Sequence, residues 1–192
     1  MSIHPDGSLV CVGDMSGNAR IWDLRSGLAL SAFEAHAGAV TGCDFACDGF
    51  AVATASADHS VKLWDLRSRK TTYTLPAHNS VVSDVRFHPT DASFVLTSGY
   101  DGTAAVWSRS DRERVAVLKS TAGKVMRAEW SPDGAKVALA GWDCTWKVYE
   151  YDGDDLGDIM NAGNSDNDDD DADGDVKDEG AVSNNRVATM ED

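Results

Sequence analysis

No apolar run in this chain approaches the roughly 18–20 residues that a membrane-crossing helix needs, and no charged-then-apolar leader precedes its first motif. The expectation is a soluble, intracellular protein. Proline is scarce: the four present, Pro5, Pro76, Pro89 and Pro132, all fall in turn-like contexts, so no alternating segment is interrupted. Cysteine is equally sparse. Cys11, Cys43, Cys47 and Cys144 hold no paired zinc spacing, which excludes a zinc module and points to reduced thiols in a reducing compartment. Basic residues are few, 17 against 32 acidic, so the clustered positive stripe of a primary nucleic-acid binder is missing.

The acidic excess is confined. Residues 1–151 carry 17 acidic and 15 basic residues, a net of −2, whereas residues 152–192 carry 15 acidic and two basic, a net of −13. The second segment has no aromatic residue and little to bury, so it reads as a solvated, disordered acidic tail. Such an arm shields a basic partner surface or competes with nucleic acid for it. Asp169, Asp171, Asp173 and Gly174 imitate the first half of a calcium loop, but the twelfth position is Gly180 and no helical pattern flanks it. Neither a metal nor another cofactor is expected.

What the body does contain is repetition. GNARIWDLRSGL at 17–28 returns as HSVKLWDLRSRK at 59–70. Trp22, Trp64, Trp107 and Tyr149 follow one another at spacings of 42, 43 and 42 residues. Three turn signals recur in each period: a Pro-Asp-Gly type (Pro5-Asp6-Gly7, Cys47-Asp48-Gly49, Pro132-Asp133-Gly134), an Asp turn (Asp58-His59, Asp101-Gly102, Asp143-Cys144) and an Arg-Ser turn after each Trp. Between them run short alternating segments such as SVKLW, TAAVW and TWKVY, the pattern of antiparallel strands joined by hairpins. Each period therefore spells four strands, a sheet too small to bury both faces unless it stacks on its neighbours. A period of 40–45 residues that opens on Ala-His (Ala35-His36, Ala77-His78) and closes on Trp-Asp (Trp22-Asp23, Trp64-Asp65) is the signature of WD-repeat propeller blades. The expected fold is all-β: about four four-stranded antiparallel blades at 1–34, 35–76, 77–119 and 120–151, followed by the tail at 152–192. A ring of this type usually has about seven blades, and nothing after Tyr151 has the pattern of a closing strand. The chain is thus expected to be the C-terminal part of a larger propeller, or a shortened reading of its gene.

His36, Thr54, Asp58 and Trp64 in the second period recur as His78, Thr97, Asp101 and Trp107 in the third. Imidazole, hydroxyl and carboxylate together suggest a nucleophile triad. Two copies in adjacent blades argue instead for architecture, and the resemblance to WD-repeat blades implies a hydrogen-bonded chain at these positions, from Asp through His and hydroxyl to the indole N–H. No catalytic residue is assigned. The fourth period replaces the set with Thr121, Leu139, Asp143 and Tyr149, and the first retains only Val12, Ser16 and Trp22.

In order, HPDGSL (4–9), RIWDLRSG (20–27), VKLWDLRSRKTTYTLPAH (61–78), TSGYDGTAAVW (97–107) and GKVM…WSPDG (123–134) resemble the last four repeats of the WD-repeat proteins of the U4/U6 small nuclear ribonucleoprotein, pre-mRNA splicing factors. The resemblance covers 1–151; the acidic tail is not part of that pattern. It implies a non-enzymatic nuclear scaffold of the U4/U6 and U4/U6-U5 particles. Its partners would be a companion splicing factor and other particle proteins, and it would meet the U4/U6 RNA mostly indirectly, with no membrane or small-molecule substrate. A scaffold or adaptor of another intracellular complex, a ubiquitin ligase or a cytoskeletal assembly, is the alternative. Tyr100 and Trp142 precede turn aspartates and are the expected anchors on the rim of the central channel. Arg86 and Arg127 sit on the innermost strands and are further candidates, mixed in sign with Asp44, Asp84 and Glu129.

Overall fold

Strand formation follows the alternation, because the hairpins among the described residues have a short carboxylate or hydroxyl to close them. Asp14 accepts the Ser16 and Asn18 amides, Asp58 that of Ser60, Asp101 that of Thr103 and Asp143 that of Thr145. The structure, a computed structural model, describes residues 1–119 and 123–151, together with the backbone of 156–162. Its first sheet comprises β1 (Ser2–Ile3), β2 (Leu9–Gly13), β3 (Asn18–Asp23) and β4 (Ala29–Glu34). The second comprises β5 (Val40–Phe45), β6 (Ala51–Ser56), β7 (Val61–Asp65) and β8 (Lys70–Leu75). The third comprises β9 (Val82–Phe87), β10 (Phe94–Gly99), β11 (Thr103–Ser108) and β12 (Arg114–Lys119). The fourth comprises β13 (Val125–Trp130), β14 (Lys136–Gly141), β15 (Trp146–Tyr151) and β16 (Leu156–Ala162). Each is an antiparallel meander in chain order, the arrangement of a WD-type β-propeller blade.

The fourth sheet corrects one expectation. β16 pairs with β15 from Tyr151↔Leu156 to Trp146↔Ala162, inside the stretch assigned wholly to the tail. Side-chain alternation gave no sign of it. Pairing depends on main-chain groups, and an open edge at β15 presents a row of unpaired N–H and C=O groups that any extended segment can satisfy. The expected disorder of the rest of the tail lies outside the described residues.

Neighbouring blades meet where the innermost strand of one packs on the two inner strands of the blade before it: β5 on β1 and β2, β9 on β5 and β6, and β13 on β9 and β10. One apolar cluster fills each of the three junctions. Cys11, Ile21, Cys43 and Phe45 join Val52 and Trp64 between the first and second blades. Ala53, Leu63 and Leu75 join Val82, Val95 and Trp107 between the second and third. Leu96, Val106 and Leu118 join Val137, Leu139 and Tyr149 between the third and fourth. Every residue of β6 is buried, because the second blade is covered on both sides. The repeated tryptophan reports the same geometry. Trp64 and Trp107 are 8% and 7% exposed, each packed against the preceding blade, whereas Trp22 on the outward side of the first blade is 37% exposed.

Close approach of the inner strands leaves no room for side chains at selected points. A Cβ on Gly42 of β5 would lie 2.5 Å from Asp84 Oδ1 and 3.2 Å from Asp84 Cα on β9. The second contact is backbone and cannot swing away. Gly42→Ala is expected to cost about 1–3 kcal/mol by forcing the two blades apart, read as a lower urea midpoint with an unchanged m-value.

Candidate functional site

The paired constellations come together inside the second and third blades. In the second, His36 Nδ1 lies 3.0 Å from Asp58 Oδ2, its Nε2 lies 2.8 Å from Thr54 Oγ1, and Trp64 Nε1–H donates to that hydroxyl at 3.0 Å. In the third, His78 Nδ1 is 3.1 Å from both oxygens of Asp101, its Nε2 is 2.9 Å from Thr97 Oγ1, and Trp107 Nε1–H donates at 3.0 Å. One tautomer satisfies every group: Nδ1–H donates to the carboxylate, and the bare Nε2 accepts the threonine O–H, whose oxygen is free to accept from the indole. Ser60 and Thr103 hydroxyls donate to the same carboxylates, and the Ala37 and Asn79 amides donate to their second oxygens. Both histidine rings and both threonines are buried. A nucleophile would need an accessible hydroxyl, and these two have no approach from solvent.

Burial pulls the His36 and His78 imidazoles below their usual value, a pull that the facing Asp58 and Asp101 carboxylates only partly offset. Burial also raises the two aspartates, but hydrogen bonds from Ser60 and Thr103 and the facing histidines outweigh it and leave both carboxyls low. The rings are therefore neutral and the carboxylates ionised at neutral pH.

Tyr100 and Trp142 lie on the turns between β10 and β11 and between β14 and β15. Their amides donate to the carbonyls of Val81 and Lys124, one residue ahead of the innermost strands, which ties each turn to the start of its blade's inner strand. Trp142 is 71% exposed; Tyr100 is half-buried, with the Lys124 ammonium 5.2 Å from its ring centre. Met15 occupies the equivalent turn of the first blade and is exposed, while Ala57 fills that of the second.

Arg86 and Arg127 differ in availability. Arg86 is engaged by Asp84 at 3.0 Å, Glu129 at 3.2 Å and Asp44 at 3.8 Å, with its side chain only 15% exposed. Arg127 bridges Asp84 and Glu129 but remains 59% exposed. Asp44 also accepts from Ser2 Oγ and from the Phe87 amide, so one carboxylate ties together the first three blades. These charges first serve the alignment of the inner strands.

Two further links were not foreseen. On the opposite face His4 Nε2 lies 3.0 Å from the Gly49 carbonyl, and His88 Nε2 lies 3.2 Å from that of Gly134, each reaching from one blade to the next. Gly49 and Gly134 hold left-handed φ angles of 70° and 77°, and a Cβ on either would strike the histidine ring. The only sequence trace was His-Pro at 4–5 and 88–89, present in alternate blades.

Stacked antiparallel blades pinned by an Asp–His–Thr–Trp chain define a propeller of the WD-repeat class. The chain belongs to the family described as WD domain, G-beta repeat, which matches residues 1–23, 27–65, 69–108 and 112–150. It is similar to Autophagy-related protein 16 of Arabidopsis thaliana, 32% identical over 148 residues, 73% of this chain and 29% of the relative. It is also similar to Pre-mRNA-processing factor 19 of Oryza sativa subsp. japonica, 29% identical over 80% of this chain and 30% of the relative. Coronin-7 of Mus musculus shares 34% identity over 38% of this chain and 8% of its own length. The chain thus spans less than a third of these curated relatives.

The threonine is the node of each network. Thr54→Val strands the Trp64 N–H and a His36 nitrogen in the interior and is expected to cost about 2–3 kcal/mol, whereas Thr54→Ser stays within about 1 kcal/mol; urea denaturation of the two variants measures the difference.

Acidification tests the histidines. Because their folded pKa values are depressed, the unfolded chain binds protons more readily below the ordinary histidine value of 6.5. The stabilisation is complete above that value and declines as pH falls through it, while the carboxylates contribute only further down. The urea midpoint is expected to fall between pH 7.5 and 5.5, and to fall less in a His36→Gln/His78→Gln double variant.

Proposed function

We propose that this chain is a non-enzymatic interaction scaffold of nuclear pre-mRNA-processing assemblies, the U4/U6 small nuclear ribonucleoprotein among them. It grips protein partners at the channel mouth of its third and fourth blades. The observation that carries the reading is the exposed Trp142 beside Tyr100, large amphipathic side chains at equivalent turns of adjacent blades. Aromatic anchors on a rigid rim are what protein interfaces use, because they bury much area at small entropic cost. Arg127, half free at the adjoining inner strand, supplies a cation for the same contact. Similarity to Pre-mRNA-processing factor 19 supports a place in RNA processing, as do the motifs shared with the U4/U6 proteins. RNA is met through the partners, since the body bears a net charge of −2 and Arg86, Arg109 and Arg127 are paired with carboxylates.

A second reading has its own support. Similarity to Autophagy-related protein 16 covers 73% of the chain at 32% identity, which favours a scaffold of a different intracellular assembly. Affinity capture separates the two. Tagged chain in nuclear extract is expected to recover splicing proteins together with U4 RNA, and Tyr100→Ala/Trp142→Ala to lose more than about 90% of that recovery, as loss of a hot-spot pair implies, without a change in the urea midpoint. Recovery of cytoplasmic assemblies in place of U4 RNA would move the chain to the second reading.

A further inference from the structure

The junction between the first and second blades holds a cleft of ≈ 90 Å³, walled by Leu9, Ile21, Phe33, Trp64 and Leu66, with Ser31 on its floor and Arg69 at its mouth. The next junction shows what such a cleft accepts. Ser31 on β4 faces Ile21, and 42 residues on Tyr73 on β8 faces Leu63 at the same register. Tyr73 is half-buried against the cluster that contains Trp107, the counterpart of Trp64. Above it lies the Arg112 guanidinium, 4.9 Å from the ring centre, and Arg112 is the counterpart of Arg69. Between the second and third blades the ring is supplied by the chain itself. Between the first and second the ring is replaced by a serine, the space stays open, and Arg69 has no side-chain partner among the described residues.

Arg69 also holds its backbone at a φ of 54°, where the first blade has Gly27 at 70°. A side chain in this region costs about 1 kcal/mol or more relative to glycine. At the third blade that strain is offset by the cation–π contact with Tyr73. At the second it is carried with nothing in place to offset it.

We infer that the cleft is a second docking site, on the side of the propeller and separate from the channel mouth. It takes an aromatic side chain of a partner polypeptide, laid over Ser31 against the Phe33–Trp64 pair, whose ring centres are 4.3 Å apart, and capped by Arg69. The walls supply apolar contact, and the guanidinium selects an aromatic face over an aliphatic chain of similar size. The acidic tail cannot supply the ring, because residues 152–192 contain no aromatic residue.

The test is a titration of the full ¹⁵N-labelled chain with N-acetyl-tyrosinamide and, separately, N-acetyl-leucinamide, following the Trp64 indole and Arg69 Nε–H resonances. The tyrosine probe is expected to shift both, saturably, and the leucine probe to bind at least about threefold more weakly, the factor that an exposed cation–π contact carries. Ser31→Tyr fills the cleft from within, as Tyr73 does, and is expected to abolish the shifts and to raise the urea midpoint. Arg69→Gly relieves the backbone strain, so the fold is retained or stabilised, yet tyrosine binding weakens about three- to fivefold. Equal binding of the two probes, or tyrosine binding that survives Ser31→Tyr, would overturn the inference. Dimerisation abolished by Ser31→Tyr would also overturn it, by placing a second copy of the chain in the cleft.

Discussion

A four-stranded sheet of six-residue strands has two faces and only one chain with which to cover them, and every other feature of this protein answers to that constraint. Blades solve it by lending each other a face. The second blade, covered on both sides, buries the whole of β6, while the first leaves Ile3, Val12 and Trp22 in contact with water. The same tryptophan thus goes from 8% to 37% exposed with no change in its own strand, only in its neighbour. Stability in such an array is a sum of blade and junction contributions, so a defect at one junction is felt most by the two sheets that share it.

Apolar stacking alone leaves the angle between blades loosely specified, because flat aliphatic faces slide. Polar groups set the angle. Asp44 reaches both Ser2 and the Phe87 amide, Thr41 donates to the Val82 carbonyl, and Ser83 donates to that of Val125, all across junctions of the inner strands. On the other face His4 and His88 hold the glycine turns of the following blades. Within a blade the Asp–His–Thr–Trp chain has a different task, fixing the third strand and the inter-blade loop to the second strand. Each polar group of these networks has a partner in one fixed geometry, so the networks specify position even where their net contribution to stability is small.

The periodic parts of this design were legible in the amino-acid sequence because they depend on residue type at fixed spacing. The tryptophan ladder gave the blades, and the recurrence of His, Thr and Asp around it gave the interior chains. Features without a periodic side-chain signal were not legible. β16 is held through its backbone, so Leu156–Ala162 needs no alternation to pair with β15. The histidine links occur only in alternate blades, where Ala46 and Ser131 replace His4 and His88, and a half-kept repeat reads as noise. Arg86 reads as an exposed charge by its position on the strand, yet three carboxylates from three inner strands converge on it, and no one-dimensional pattern counts neighbours from other blades.

Departures from a repeat then carry more information than the repeat itself. Where all blades agree, the residue is explained by what every blade must do: close a turn, pin a strand, or fill a junction. Where one differs, the shared explanation fails and a local one is needed. Leu139 and Tyr149 in the fourth blade have such an explanation, since the Tyr149 hydroxyl reaches the Lys119 carbonyl at 2.7 Å and so anchors the preceding blade without a histidine. Trp142 has none within the blade: its side chain points to water from a turn where Ala57 suffices elsewhere. Ser31 and Arg69 form the other unexplained pair, one residue too small for its junction and one too strained for its turn, on either side of the same opening. Selection for stability alone would place a large ring at Ser31 and glycine at Arg69, because both changes fill space or relieve strain at no cost to a neighbour. The weaker choice at two positions that line one cleft is what the inferred docking of a ring from outside the chain would account for.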